Sequence, residues 1–452
     1  MRFKASENTR ALATGIAVSL MTVLLMHGIA GSLSPSSREA KGLTKSKLAQ
    51  AIADRVKEGH FPERVEIADK PGAAATPVQV RYAFDPLLQE TMEGLFRSYR
   101  PDYGAFVAMD AATGRILSMV SYTSEDGETG QNLALRASFP SASVFKVVTA
   151  AAAIEGNRLS ADSIIPFNGR NHTLYRSNVM SVKQSKWTRY MTLKEAFARS
   201  VNTVFGRIGA FTVGPQELRQ YANRFGFNRE ISGDVPVQQG KATIPDDPWG
   251  LAESASGFTQ ENTMSPLQGA LIAAAIANDG VMMEPFLIDS VAAPGGETLY
   301  LAQPKIANQV VDPTTASEIR KLMEVTVRQG TAAHSFRGFF KHELAELDVG
   351  GKTGSLTGEE PKGRNDWFVG FADDGHRKVA IAALTVHRKL WRVKSSYLAR
   401  RALETLYRDP EQHVTRKQAH RGGGSSHLRI TGPYQPLVLS PELLAAGARS
   451  GT

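Results

Sequence analysis

Hydrophobic residues along this chain fall into three patterns: one unbroken apolar run, several series at helical spacing, and a few alternating or densely apolar short runs. The unbroken run is Ala11 to Leu33, which holds no Asp, Glu, Lys or Arg and only His27 as a strongly polar interruption. About 20 apolar residues cross a bilayer as a helix, so the run predicts a transmembrane anchor over 11–33. Arg2, Lys4 and Arg10 precede it and favour a cytoplasmic tail at 1–10, while Arg38, Lys41, Lys45 and Lys47 behind it soften the asymmetry. Gly28 and Ala30 form a small-x-small site, so a cleaved signal peptide is the alternative; both place the remainder outside the cytoplasm.

Residues 34–80 read as a short linker and helical region. Leu48, Ile52 and Val56 give a helical stripe over Thr44–Glu58, and Lys70–Pro77 is rich in Pro, Gly and Ala, as linkers are. Gly104–Asp110 and Arg115–Ser121 alternate around Ala111-Ala112-Thr113-Gly114, a hairpin signal. Helical series follow over Ser143–Glu155, closed by Gly156, and from Leu193 through Phe197, Val201, Val204 and Ile208, opened by a Thr192/Glu195 capping box. Ser265–Asn278 and Thr314–Arg328 are further helices. Leu347–Ser355, Asp366–Ala372 and Lys378–Val386 are strand-like, and Ser395–Arg408 is a last helix. From 409 to 452 the chain turns polar, with Gly422-Gly423-Gly424-Ser425-Ser426, and reads as a disordered tail. Strands at both ends with helices between them predict an α+β fold over 81–408: an antiparallel sheet from two distant segments, with a helical insertion.

Composition narrows the chemistry. With 42% hydrophobic and 21% charged residues in 452, most of the chain can bury a core. The absence of cysteine excludes thiol catalysis, Cys-based zinc sites and disulfides. The net charge of +9 is spread along the chain instead of gathered with aromatics into a stripe, which argues against nucleic acid as a partner and fits attraction to polyanionic surfaces.

Three short motifs carry candidate chemistry. In Ser143-Val144-Phe145-Lys146 the first and last side chains share a helix face, and a lysine held neutral can take the proton that makes serine a nucleophile. This is the only S-x-x-K here, and its neighbours are small and apolar; the competing reading is a surface pair on an amphipathic helix. Ser200-Val201-Asn202 offers a proton relay and an amide, but Ser6-Glu7-Asn8 has the same spacing, and a polar mid-helix face is the plainer reading. Lys352-Thr353-Gly354-Ser355 places a cation and two hydroxyls on a strand edge, fit to hold a carboxylate, with a structural bulge as the alternative.

Together, S-x-x-K, S-x-N and K-T-G in this order, 57 and 152 residues apart, are the signature of penicillin-binding proteins and serine β-lactamases. The stretch from about Tyr82 to Arg408 resembles the transpeptidase domain of bifunctional and class B penicillin-binding proteins. Asp85-Pro86-Leu87-Leu88-Gln89, Ala105–Asp110 with Thr113–Leu117, Ser265-Pro266-Leu267-Gln268 with Ala277–Gly280, and Trp367–Phe371 add to the likeness. The resemblance implies a five-stranded antiparallel sheet flanked by helices, and a D,D-transpeptidase that cross-links peptidoglycan stem peptides and is acylated by β-lactams. It implies Ser143 as nucleophile, Lys146 as its base, Ser200 as proton relay assisted by Lys352, and Asn202 on the donor amide. Thr353 and Ser355 would bind the terminal carboxylate, Gly354 would admit the substrate backbone, and the N–H groups of Ser143 and Ser355 would form the oxyanion hole. No metal or organic cofactor is implied. Stem peptides, the membrane and other cell-wall synthesis proteins are the expected partners, and a single-pass membrane protein with an extracytoplasmic domain is the expected location.

Two residues depart from the family pattern: Ala142 where glycine is common, and Ser355 where threonine is common. The stretch 34–80 is also short for a class B pedestal and far short of a glycosyltransferase domain. A D,D-carboxypeptidase, a β-lactamase and a non-catalytic scaffold or β-lactam sensor are the alternatives. No Glu-x-x-Leu-Asn pattern supplies a deacylating base.

Overall fold

The computed structural model describes residues 44–408 apart from 69–73, 125–129, 157 and 182–183. The apolar run at 11–33 and the polar tail at 409–452 lie outside the described residues, and no helix among those described is long and apolar enough to cross a membrane.

The central sheet is assembled from two distant parts of the chain. Strands β3 (Tyr103–Asp110) and β4 (Ile116–Thr123) form the expected hairpin, and β7 (Asp348–Glu359), β8 (Lys362–Asp373) and β9 (Lys378–His387) come from the far end. They run antiparallel in the order β7-β8-β9-β3-β4. Every residue of β3 is buried, because both faces are covered. On one face α2 (Pro86–Tyr99) and α9 (Ser395–Tyr407) enclose Leu88, Phe96, Phe106, Phe368 and Leu398. On the other lies α7 (Pro266–Ala277), apolar all round and buried at every position; Gly269 lets it approach Val369 and Ala382. The α+β reading with a five-stranded antiparallel sheet is thus the observed architecture.

Several local expectations change. The linker anticipated over Lys70–Pro77 gives way at Thr76 to strand β2 (Thr76–Tyr82). It sits in a second sheet between β1 (Arg64–Ile67) and β5 (Ile288–Ala292), with β6 (Thr298–Leu301) beyond. Its partner β5 lies about two hundred residues downstream, where no local pattern can point to it. The hydrophobic series from Leu193 to Ile208 is two helices, α4 (Leu193–Ala198) and α5 (Asn202–Ile208). The chain breaks at Ser200, whose φ of 55° no helix accommodates. The capping box itself forms: the Glu195 carboxylate accepts the Thr192 N–H at 3.0 Å, and the Thr192 hydroxyl accepts the Glu195 N–H at 3.3 Å. Ser143 precedes the α-helix, in a 3-10 turn over Ala142–Phe145 that leads into α3 (Lys146–Glu155). Gly156 closes α3 at φ −72°, so it is not a left-handed cap. Strands β7 and β8 run well past their sequence signals and meet at Glu360-Pro361.

The N-terminal part is joined to this body. Helix α1 (Lys45–Lys57) starts at the Thr44 cap and buries Leu48, Ile52 and Val56 completely, and Lys45 pairs with Glu284 at 3.2 Å.

Candidate active site

Four contacts hold the turn that carries Ser143. Phe139–Pro140 pairs with Thr263–Met264, and the Trp367 indole N–H donates to the Pro140 carbonyl at 2.9 Å. The Ser141 N–H reaches the Asn262 carbonyl at 2.7 Å. Gly257, at φ +65°, passes so close that a Cβ there would sit 1.9 Å from the Ala142 carbonyl oxygen. Ala142 is itself left-handed, at φ 47°. These restraints present the Ser143 hydroxyl at the start of the 3-10 turn, open to a cleft of about 440 Å³.

Lys146 lies one turn on and has no exposed surface. Its Nζ donates to Ser143 Oγ at 2.9 Å, to Asn202 Oδ1 at 2.8 Å and to the Ser256 carbonyl. Burial, then the charge of Lys352, holds it well below the ordinary lysine range. Its charged form is therefore disfavoured, and the amine lies within hydrogen-bond reach of the serine proton. Lys352 on β7 is equally buried; desolvation lowers it to about 7, so it is divided between its charged and neutral forms near neutrality. Its Nζ donates to Ser200 Oγ at 3.1 Å and to the Thr353 carbonyl at 3.0 Å. The ring of Phe205 lies 5.7 Å from the Lys146 amine and that of Phe197 lies 5.3 Å from the Lys352 amine.

The helix break between α4 and α5 aims Ser200 and Asn202 at these two lysines. The Asn202 side-chain amide donates to the His172 carbonyl at 3.0 Å, which orients its oxygen toward Lys146. On the edge strand, the hydroxyls of Thr353 and Thr331 share a hydrogen bond, and Arg364 Nε donates to Ser355 Oγ at 2.9 Å. Gly354 faces the turn: a Cβ there would stand 3.3 Å from the Ala142 Cβ, the Ser143 nitrogen and the Val144 Cγ2, so glycine lets the strand pack closely against it.

All eight residues singled out by the sequence therefore converge on one cleft. Ser143, Ser200, Asn202, Thr353, Gly354 and Ser355 line it, and Lys146 and Lys352 lie beneath. Sequence reasoning missed Thr331, His172, Phe258, Arg364, Trp391 and Lys394, which also line it. The one signal available was the run His387–Lys394, an aromatic among cations in a loop. His172 is held below its usual range by its packing and by the two lysines. Among the described residues no group of His, Asp and Glu could hold a metal ion. A larger groove of about 1010 Å³ beside β2 and α2 contains none of the three motifs.

The family described as penicillin binding protein transpeptidase domain matches residues 104–407. A peptidoglycan D,D-transpeptidase PbpA from Mycolicibacterium smegmatis is 29% identical over 316 residues, 63% of this chain and 62% of that protein's own length. Among solved structures, the D,D-transpeptidase domain of a peptidoglycan glycosyltransferase from Eggerthella lenta is 26% identical with a TM-score of 0.59, over 75% of this chain and 88% of the other. Penicillin-binding protein A of Mycobacterium tuberculosis, as its penicillin G acyl-enzyme, is 24% identical with a TM-score of 0.58, over 75% of this chain and 82% of the other.

Proposed function

The chain belongs to the penicillin-binding protein transpeptidase family, and on that footing we propose that it is a peptidoglycan D,D-transpeptidase working through a Ser143 acyl-enzyme. The observation that carries this reading is the fully buried Lys146 amine 2.9 Å from Ser143 Oγ, in an environment that disfavours its charged form.

In the acylation step, Ser143 Oγ attacks the carbonyl between the two D-alanines of a donor stem peptide as its proton passes to Lys146 Nζ. The N–H groups of Ser143 and Ser355 receive the oxyanion. The C–N bond breaks, and Ser200 passes a proton to the departing amine, with the Lys352 charge behind it. Thr353 and Ser355 hold the terminal carboxylate, while Asn202 holds the donor amide. D-alanine leaves and the ester remains on Ser143. An amine from a neighbouring strand then attacks that ester and gives its surplus proton to Ser200, replacing the one passed to D-alanine; Lys146 returns the proton to Ser143 Oγ, and a new peptide bond links the strands. β-Lactams acylate the same oxygen but leave no departing fragment. Among the described residues Asp366 is the one carboxylate lining the cleft, and it accepts the Ser395 N–H at 2.7 Å. With that carboxylate turned to Ser395, the adduct is expected to persist, which favours a transpeptidase over a β-lactamase.

The reading extends to the whole protein. Residues 11–33 anchor it to the membrane after a cytoplasmic tail at 1–10, residues 34–80 join the anchor to an extracytoplasmic domain over 81–408, and cell-wall synthesis proteins are its neighbours. The test is intact-mass spectrometry after addition of benzylpenicillin to wild type and Ser143→Ala, followed by turnover of a stem peptide with and without an acceptor amine. A lasting adduct on wild type alone, and a dimeric product that needs the acceptor, are expected. An adduct lost within seconds would instead mark a β-lactamase, and a trimmed monomer despite the acceptor a carboxypeptidase.

A further inference from the structure

Two exposed cations stand over the cleft with no part in the chemistry above. Arg364 is the cross-strand partner of Thr357, and Asp366 is the partner of Ser355. Cross-strand partners share a sheet face, as do residues two apart. One face of the β7–β8 edge therefore carries Thr353, Ser355 and Thr357 in file, with Arg364 at the outer end. The Arg364 guanidinium reaches back to Ser355 Oγ and lies 5.1 Å from the Trp391 ring. Lys394 Nζ lies 5.6 Å from the same ring. Trp391 thus seats two like charges at the cleft mouth.

Neither cation is in an ion pair with a carboxylate among the described residues. Asp366 is a carboxylate on which both cations act, but the Ser395 N–H occupies it, and burial raises it to about 6 against the pull of Lys394 and Arg364. Lys394 moreover occupies the N-cap of α9, where its charge meets the positive end of the helix; neutral acceptors or aspartate are favoured there. Asp366 answers both cations through its field but pairs with neither, so the cleft mouth keeps a surplus of positive charge, and such a surplus points to a function.

The position says which anion answers it. With the donor's terminal carboxylate at Thr353 and Ser355, an extended chain covers about 3.3–3.6 Å per residue. Running back along the edge strand, it brings the residue before the D-alanyl-D-alanine pair level with Thr357 and hence with Arg364. We infer that Arg364 and Lys394, seated on Trp391, form a second anion subsite that selects donor stem peptides carrying a free side-chain carboxylate at that residue. Arg364 contributes a planar fork that fits a carboxylate, Lys394 a mobile charge, and Trp391 an apolar floor beside both.

This subsite rests on the transpeptidase reading for the direction of the donor, so its test does not depend on turnover. Two synthetic pentapeptides ending in D-alanyl-D-alanine are prepared, identical except that the residue before that pair carries a carboxylate in one and a carboxamide in the other. Their affinities for the full chain bearing Ser143→Ala are measured at low and high salt. The acid peptide should bind about 5- to 10-fold tighter, the range of one or two partly exposed charge contacts, and the advantage should shrink in salt. Adding Arg364→Gln and Lys394→Gln should bring the acid-to-amide ratio to about one. Equal affinities, binding of neither peptide, or a preference that survives both substitutions would overturn the subsite. Turnover of both peptides by wild type without an affinity difference would sink the subsite alone. An acid preference without Ser143-dependent turnover would sink the transpeptidase reading and leave the subsite standing.

Discussion

The two buried lysines share a loss of solvation but face different hydroxyls, Lys146 that of Ser143 and Lys352 that of Ser200. Both lose solvation, and Lys146, the one that touches Ser143, is lowered by the Lys352 charge as well. An amine accepts a proton only above its pKa and carries a charge only below it. Acylation by benzylpenicillin should therefore rise with pH as Lys146 becomes free, then fall above about 7 as Lys352 loses the charge that faces Ser200 and the substrate carboxylate. In Lys352→Arg, whose guanidinium stays protonated, the falling limb should vanish while the rising limb stays; stopped-flow acylation rates from pH 5 to 10 test this. A falling limb that persists in the variant would assign it to another group. These residues were legible from sequence because their spacing matches a known motif order. The environment that sets their protonation was not, since Phe197, Phe205 and the Ser256 carbonyl are brought to the lysines only by the fold.

At the scale of elements, the long periodic runs were read correctly and the irregular joints were not. α7 and α8 (Pro313–Arg328) start at side-chain caps on Ser265 and Asp312, and β3–β4 turns where its small residues suggest. The chemistry, by contrast, sits at interruptions: the 3-10 turn before α3 and the break between α4 and α5, each with a left-handed non-glycine residue, Ala142 and Ser200. Hydrophobic period continues across such breaks, so it predicts one helix where tertiary contacts impose two. Gly257 is the residue that makes room for the first joint. Gly257→Ala adds a Cβ against the Ala142 carbonyl and strains a φ of +65°, at a cost of about 1–3 kcal/mol in stability. Because the displaced group is the turn holding Ser143, acylation should fall about 100-fold, far more than a global loss of that size implies for the folded fraction. Parallel denaturation and acylation measurements separate the two effects; unchanged acylation in a destabilised variant would show that the turn is set elsewhere.

Across the whole molecule, the nucleophile turn is connected to α1, the first described helix. The Asn132 side chain donates to the Val56 carbonyl at 3.0 Å and its N–H donates to the Lys57 carbonyl at 2.6 Å. The segment then runs on to Phe139-Pro140, which Trp367 holds against the main sheet. Sequence showed the apolar stripe of α1 but not its partners Asn132 and Glu284, which lie far along the chain. Full burial of Leu48, Ile52 and Val56 makes α1 part of the core that supports the site. Ile52→Ala should therefore cost about 2–5 kcal/mol in unfolding free energy by leaving a cavity. The rigid contacts at Pro140, Ser141 and Gly257 lie beyond Asn132, so the acylation rate of the folded protein at 25 °C should stay within about 2-fold of wild type. Urea denaturation gives the first quantity and benzylpenicillin acylation in buffer the second. A proportionate loss of both would mean that α1 sets the position of Ser143 through Asn132, and the helix would then belong to the functional unit as well as to the fold.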